Sequence, residues 1–233
     1  MEYKIISFPI TMSFGNIENT VNPTLLWDKK NIILVDCGFM GSLPKIEEEL
    51  GRYGLSAEQI TGLVLTHHDH DHMGAAMALK RKNPNLMIYA SAAEAPFISA
   101  QVKPLRLLQA EELQMTLPPE QQAFGKAFCD MLRRVEPVPV DVFLHDGDRM
   151  DWCGGCLVIA TPGHTPGHIS LLLEKDSIII TGDAIALEEG KPVIANPQFT
   201  LDIEQAKESI NKLLSINARV YYCYHGGHLT SAI

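Results

Sequence analysis

Four of the nine histidines and two aspartates share one six-residue window, His67-His68-Asp69-His70-Asp71-His72. Imidazoles and carboxylates at this density are ligands for a divalent cation. A fortuitous polar loop or a purely structural metal site are the plainer readings, but a solvated loop ordinarily recruits Lys, Glu or Ser. In extended chain His67, Asp69 and Asp71 point one way and His68 and His70 the other, while His72 opens a helix and swings back beside Asp71. Three later segments add the same chemistry. Thr161-Pro162-Gly163-His164-Thr165-Pro166-Gly167-His168 is built of turn residues and offers His164 from a rigid loop. Thr181-Gly182-Asp183 and Tyr224-His225-Gly226-Gly227 end apolar runs with a carboxylate and a histidine. Seven nitrogen and oxygen donors without a thiolate are too many for one tetrahedral zinc and suit two metal ions.

The elements that must position these groups alternate between strand and helix. Strands are expected over 3–8, 24–27, 32–36, 63–65, 86–89, 156–160, 169–174, 177–181 and 219–224, with strand structure resuming near Val138 after a helical stretch. Helices are expected over 43–53, with Pro44 in the first turn, over 74–82, and over 203–216 behind Asp202 as N-cap. Residues 91–134 are rich in Ala, Leu, Glu and Gln, and Pro104 and Pro118-Pro119 divide them into about three helices. Every candidate ligand falls just past the C-terminal end of a strand, the usual place for a site in an α/β layer protein. The expectation is one α/β domain over 1–233, a sandwich with helices outside and the helical insertion, about 91–134, lying over one edge.

Composition narrows the function classes. Of 233 residues, 19 are basic and 28 acidic, giving a formal charge of −9 that repels polyanions and argues against nucleic acid as a partner. The 46% hydrophobic content is that of a globular chain. No apolar run approaches the roughly 20 residues of a membrane span, and the N-terminus does not read as a signal peptide. A cytoplasmic protein acting on a small molecule is expected, with no membrane partner and the oligomeric state, a homodimer included, left open. The five cysteines form no disulfide framework. Trp152-Cys153-Gly154-Gly155-Cys156 imitates a thiol redox motif, yet the β-branched run after it makes Gly154-Gly155 a two-residue hairpin turn with the thiols facing across it.

Thr66-His67-His68-Asp69-His70-Asp71-His72-Met73-Gly74 resembles the T-H-x-H-x-D-H-x-G signature of the metallo-β-lactamase superfamily, with Asp69 standing where that family has its second histidine. Thr161–His168 is similar to the family's T-P-G-H-T-P-G-H, Asp183 to its bridging carboxylate and His225 to its final histidine. The resemblance spans nearly the whole chain and implies a four-layer αββα sandwich. It implies that His67, Asp69 and His164 hold one metal, that Asp71, His72 and His225 hold a second, and that Asp183 bridges them. It further implies a metal-activated hydroxide as nucleophile, with Asp71 taking or relaying the proton. His168 would be structural.

Charge counting bears on the departure. Five His and two Asp around two divalent ions leave +2; four His and three Asp leave +1, a weaker Lewis acid more tolerant of iron or manganese beside the zinc expected first. The family's flavodiiron proteins carry a carboxylate at this position and bind iron. His68 and His70 are expected to pack behind the loop or steady the ligands, His145 to sit in a hairpin and His228 to be exposed, while Asp36 fixes the loop.

Only eight residues follow His225, so no added C-terminal domain of the kind glyoxalase II uses for glutathione thioesters is expected. The insertion, carrying Phe97, Leu107, Phe124, Phe128, Met131 and Leu132, becomes the element that shapes substrate binding. The favoured reading is hydrolysis of an ester, lactone or thioester with an apolar portion. Phosphodiester hydrolysis at the same site, di-iron redox chemistry and metal-stabilised ligand binding are the rivals.

Overall fold

A computed structural model describes residues 3–14 and 17–231. The chain runs β1 (Lys4–Ser7), the hairpin β2 (Ile10–Phe14) and β3 (Ile17–Val21), β4 (Thr24–Trp27), β5 (Ile32–Val35), α1 (Leu43–Gly51), β6 (Gly62–Val64), α2 (His70–Met73), α3 (Ala76–Lys82) and β7 (Met87–Ser91). The insertion supplies α4 (Ala95–Ile98), α5 (Leu105–Thr116) and α6 (Gln122–Arg133). There follow β8 (Val142–Leu144), β9 (Arg149–Met150), β10 (Cys156–Ala160), β11 (Ile169–Leu173), β12 (Ile178–Ile180), the hairpin β13 (Ala186–Glu188) and β14 (Lys191–Val193), α7 (Ile203–Ser215), β15 (Val220–Cys223) and β16 (Gly227–Thr230).

Two six-stranded sheets, ordered β1-β4-β5-β6-β7-β8 and β16-β15-β12-β11-β10-β9, make the centre. The period-two alternation of side chains explains how they stack. Leu26, Ile33, Val35 and Val64 leave one face of the first sheet and pack on Val158, Leu171, Ile178 and Ile180 of the second. Leu25, Leu34 and Leu63 leave the opposite face and meet Ile46 and Leu50 of α1 and Leu79 of α3. On the far side of the second sheet, Ile159, Ile179 and Tyr221 meet Leu213 of α7. Helix, sheet, sheet and helix are therefore four layers, the αββα sandwich expected. Asp202 caps α7, accepting from the Gln205 backbone N–H at 3.0 Å.

Three local expectations need correction. The helix expected over 74–82 is present as α3, but a separate four-residue helix, α2, precedes it inside the histidine window, where the Asp69 carbonyl accepts from the N–H groups of His72 and Met73, both at 3.0 Å. The extended alternation therefore ends at Asp69, and Asp71 and His72 are helical. Gly154-Gly155 is not a two-residue turn either: Met150 pairs with Cys156, and a 3-10 turn at Trp152–Gly154 fills the gap, with Cys153 at φ 49°. Finally, the insertion leaves between β7 and β8 at the sheet edge but reaches past that edge onto the histidine loop, where the Leu105 N–H donates to His68 Nε2 at 3.2 Å.

Candidate metal centre

The end of β5 begins the site. Asp36, at φ 57°, is one of the few non-glycine residues in the left-handed region, and the turn it makes aims its carboxylate under the histidine loop. Its Oδ1 accepts from the Thr66 N–H at 2.9 Å, and its Oδ2 accepts from Thr66 Oγ1 and His72 Nδ1, both at 2.8 Å. Thr66 Oγ1 in turn faces His67 Nδ1 at 3.1 Å. Holding both Nδ1 atoms from behind leaves Nε2 of His67 and of His72 as the free, forward-facing nitrogens. Gly74 lets this loop cross the chain closely: a Cβ there would stand 2.3 Å from the Met40 backbone nitrogen.

On the second sheet, β10 leads into the loop of His164, β12 into the 3-10 turn carrying Asp183, and β15 into His225. Ligand-type atoms of His67, Asp69 and His164 lie within 4.8 Å of one another, as do those of His67, His72 and Asp183, and those of Asp71, His72 and His225. Asp183 stands between the groups, Oδ2 facing His164 Nε2 at 3.4 Å and Oδ1 facing His72 Nε2 at 3.2 Å and His225 Nε2 at 3.4 Å. All seven residues singled out in the sequence thus come together at one edge of the sandwich.

His168 lies among them but is already used. Its Nε2 accepts from the Asp183 backbone N–H at 2.9 Å and its Nδ1 meets Thr161 Oγ1 at 2.8 Å, so it pins the turn that presents Asp183. Gly182, at φ 53°, permits that approach; a Cβ would sit 2.6 Å from His168 Nε2. His68 is also turned away, pairing through Nδ1 with Glu94 and stacking on Phe97 at 4.8 Å. His70 meets Phe39 and Phe128 edge-on, His145 faces Asp148 at the surface, and His228 is exposed beside Tyr222.

Whether the residues suit a metal is decided by what their atoms lack. Nε2 of His67, His72 and His225, Oδ1 of Asp69 and Oδ1 of Asp183 are buried without a hydrogen-bond partner. Several stand close to one another yet are misaligned for hydrogen bonds, as donors aimed at a shared point would be. Buried polar atoms are ordinarily paired, and a divalent cation is the partner that imidazole and carboxylate lone pairs call for. Electrostatics agree. Burial opposes the charge of Asp71, but His70, His72 and His225 hold its carboxyl below the ordinary range. Burial likewise disfavours a charged His225, yet Asp183 and Asp71 push it up to about 10. Such a site strongly attracts positive charge.

Two residues of the insertion complete the surroundings without having stood out in the sequence. Glu94 accepts from the His68 N–H at 3.0 Å and the Gly167 N–H at 2.8 Å, tying the histidine loop to the loop of His164. Arg106 donates through Nε and Nη2 to Asp69 Oδ2 at 3.0 and 2.5 Å, adding a positive charge that the charge count from the motif omits. Burial works against the Asp69 charge, and Arg106 with His164 and His67 holds its carboxyl well below the usual range.

Among the described residues the insertion opens no acyl-sized pocket beside the histidine loop; its larger hollow, about 380 Å³, carries Glu111, Glu112, Lys126 and Arg133 beside Leu108 and Met115. Leu107, Ala110, Cys129 and Leu132 form a small core of their own, while Leu113, Met115 and Phe124 face outward. The cavity between the insertion and the histidine loop measures about 40 Å³, far below the roughly 300 Å³ at which ligand pockets begin. The apolar surface near the site is an aromatic row: Phe39 and Phe128 flank His70 at 6.1 and 5.8 Å, Phe128 stacks on Phe199 at 6.2 Å, and Phe199 covers Arg106.

Comparison with known proteins agrees with this geometry. Residues 17–225 match the family profile described as "Metallo-beta-lactamase superfamily". The chain is 30% identical to the "Probable metallo-hydrolase YflN" of Bacillus subtilis (strain 168), over 95% of this chain and 84% of that one. It is 28% identical to the "Hydroxyacylglutathione hydrolase GloC" of Haemophilus influenzae, over 70% of this chain and 66% of that one. The fold is similar to a metallo-beta-lactamase family protein from Thermus thermophilus, with a TM-score of 0.75 at 24% identity, covering 97% of this chain and 74% of that chain. Among the described residues no helix is long and apolar enough to cross a membrane. A profile match across so much of the chain, on a fold whose strand ends gather the expected side chains, places it by descent: the chain belongs to the metallo-β-lactamase superfamily.

Proposed function

We propose that the chain is a metal-dependent hydrolase of carboxylic esters, lactones or thioesters bearing an apolar portion. The observation that carries this reading is the set of buried, unpartnered donor atoms on His67, His72, His225 and Asp183 beside an open aromatic row. A divalent ion held there, zinc foremost and manganese or iron as compatible ions, supplies Lewis acidity and lowers the pKa of water.

The chain's own residues supply the rest. Asp36, through Thr66 and His72, fixes the imidazoles so that their Nε2 atoms need no reorganisation. Asp71, ionised between His70 and His225, holds the position from which a carboxylate takes a proton from an attacking water. Phe39, Phe128 and Phe199 offer the apolar part of the substrate a surface instead of an enclosed tunnel. The hydroxyacylglutathione hydrolase name of one relative supports a thioester within this class. The net charge of −9 weighs against a phosphodiester.

A panel of aryl esters, lactones, thioesters and bis-aryl phosphodiesters tests the proposal. Carbonyl substrates are expected to win, and kcat/KM to rise with acyl length by no more than the value of a buried methylene, about 0.8 kcal/mol each. Phe128→Ala and Phe199→Ala should flatten that rise. A preference for phosphodiesters would replace this reading with the phosphodiesterase one.

A further inference from the structure

One half of the cluster already contains a cation. Arg106, the second residue of α5, is 4% exposed. A guanidinium has five N–H donors and no acceptor, and here all five are engaged. Nε and Nη2 donate to Asp69 Oδ2 at 3.0 and 2.5 Å, and Nη2 also reaches His164 Nε2 at 3.2 Å. Nη1 donates to the Phe199 carbonyl at 2.6 Å and to Gln109 Oε1. The Phe199 ring covers the group at 5.0 Å from its centroid, an additional cation–π contact.

The consequence is geometric. Ligand-type atoms of His67, Asp69 and His164 lie within 4.8 Å of one another, and Arg106 Nη2 touches two of those three residues. His164 Nε2 also stands 3.2 Å from Asp69 Oδ2, so that nitrogen already lies between the guanidinium and the carboxylate. A divalent ion drawn to all three residues would lie against a group that does not deprotonate in proteins. The other half differs. Unpartnered donor atoms occur in both halves, His67 Nε2 and Asp69 Oδ1 in the first and Nε2 of His72 and His225 with Oδ1 of Asp183 in the second, but among the described residues no Lys or Arg pairs with Asp71 or Asp183.

We infer that Arg106 is the resident cation of the His67–Asp69–His164 half, and that the chain holds a single divalent ion, between Asp71, His72, His225 and Asp183. The inference rests on the reading of the cluster as a metal centre. It accounts for Asp69, the one departure from the family signature: a carboxylate there takes two guanidinium N–H donors and balances their charge, which a neutral imidazole would not do. It also gives the insertion a role beyond packing, since α5 carries the charge that fills half of the site.

Metal counting tests it without reference to turnover. Protein stripped by a chelator and dialysed against zinc or manganese is expected to hold one ion per chain by elemental analysis, and the manganese form to give the spectrum of an isolated ion by electron paramagnetic resonance. Arg106→Ala should gain a second ion, bound on the order of 100-fold more tightly than any second ion in the wild type, the scale of removing a buried charged partner. Adding Asp69→Ala to that variant should remove it again. Two tightly bound ions or a coupled manganese pair in the wild type would overturn the inference, as would a folded Arg106→Ala protein that still stops at one. Should Arg106→Ala not fold, the wild-type count and spectrum decide. A chain binding no ion would end both this inference and the metal-centre reading, whereas one ion without hydrolysis would end only the functional proposal.

Discussion

The backbone N–H of Asp183 donates to His168 Nε2 at 2.9 Å, which separates the two histidines of one motif into different roles. His164 turns into the cluster, and His168 holds the turn that presents Asp183. His168→Ala leaves that N–H buried without an acceptor, at a cost of about 1–3 kcal/mol in stability. Metal content should stay near the wild-type value, whereas His225→Ala should lose it. Equal losses by elemental analysis in both variants would mean that His168 is a ligand.

Asp36 is the anchor of Thr66 and His72, so its removal should act on affinity more than on folding. Asp36→Ala is expected to weaken metal binding about 10–100-fold, the range for partners that orient metal-bound histidines. Competition with a chromophoric chelator reads this directly, with circular dichroism as the control for fold. An unchanged affinity would leave Asp36 as a loop residue alone.

Much of this was legible in the sequence, because the donors lie in four short motifs at strand ends and the alternating apolar runs give away both sheets. The parts that were not legible depend on long-range pairing. Arg106 meets Asp69 across 37 positions and Glu94 meets His68 across 26, and no local pattern says which charged residues of a helical insertion turn inward. The β2–β3 hairpin was hidden for another reason: Glu18 and Asn19 are residues that strands ordinarily avoid, and only pairing with Ser13 and Met12 makes them strand. The turn before Cys156 failed on backbone chemistry, since Cys153 takes a left-handed conformation that its residue type does not advertise.

The thiols of that turn are expected to be inert. Burial first, then nearby acidic groups, pushes Cys153 up to about 12; burial does the same for Cys156, and all five cysteines are buried and unpaired. At pH 8 both stay protonated, so a disulfide-exchange reagent should modify neither until the protein unfolds. Prompt release of two equivalents of reagent product from the native protein would restore the redox reading.

The metal-free protein should show a defined pH window. Burial opposes charge on His225, but Asp183 raises it from 6.5 to about 10, so its contribution is complete below pH 6.5 and is lost as the pH climbs toward 10. Asp71 and Asp183, both lowered from 3.8 by the surrounding imidazoles against the effect of burial, contribute above that value and lose the contribution as the pH falls through their lowered values. Metal binding needs neutral imidazoles, so the gain in Tm on adding metal should grow from pH 5 to pH 8. A gain that is flat across that range in differential scanning fluorimetry would contradict this assignment of charges.

The most direct test of the central claim is thioester or aryl-ester hydrolysis followed as metal is returned to chelator-stripped protein. The stripped chain is expected to be inactive, with turnover rising with added zinc or manganese until the site is filled. Hydrolysis that survives stripping, or that never appears in protein shown to carry metal, would contradict it.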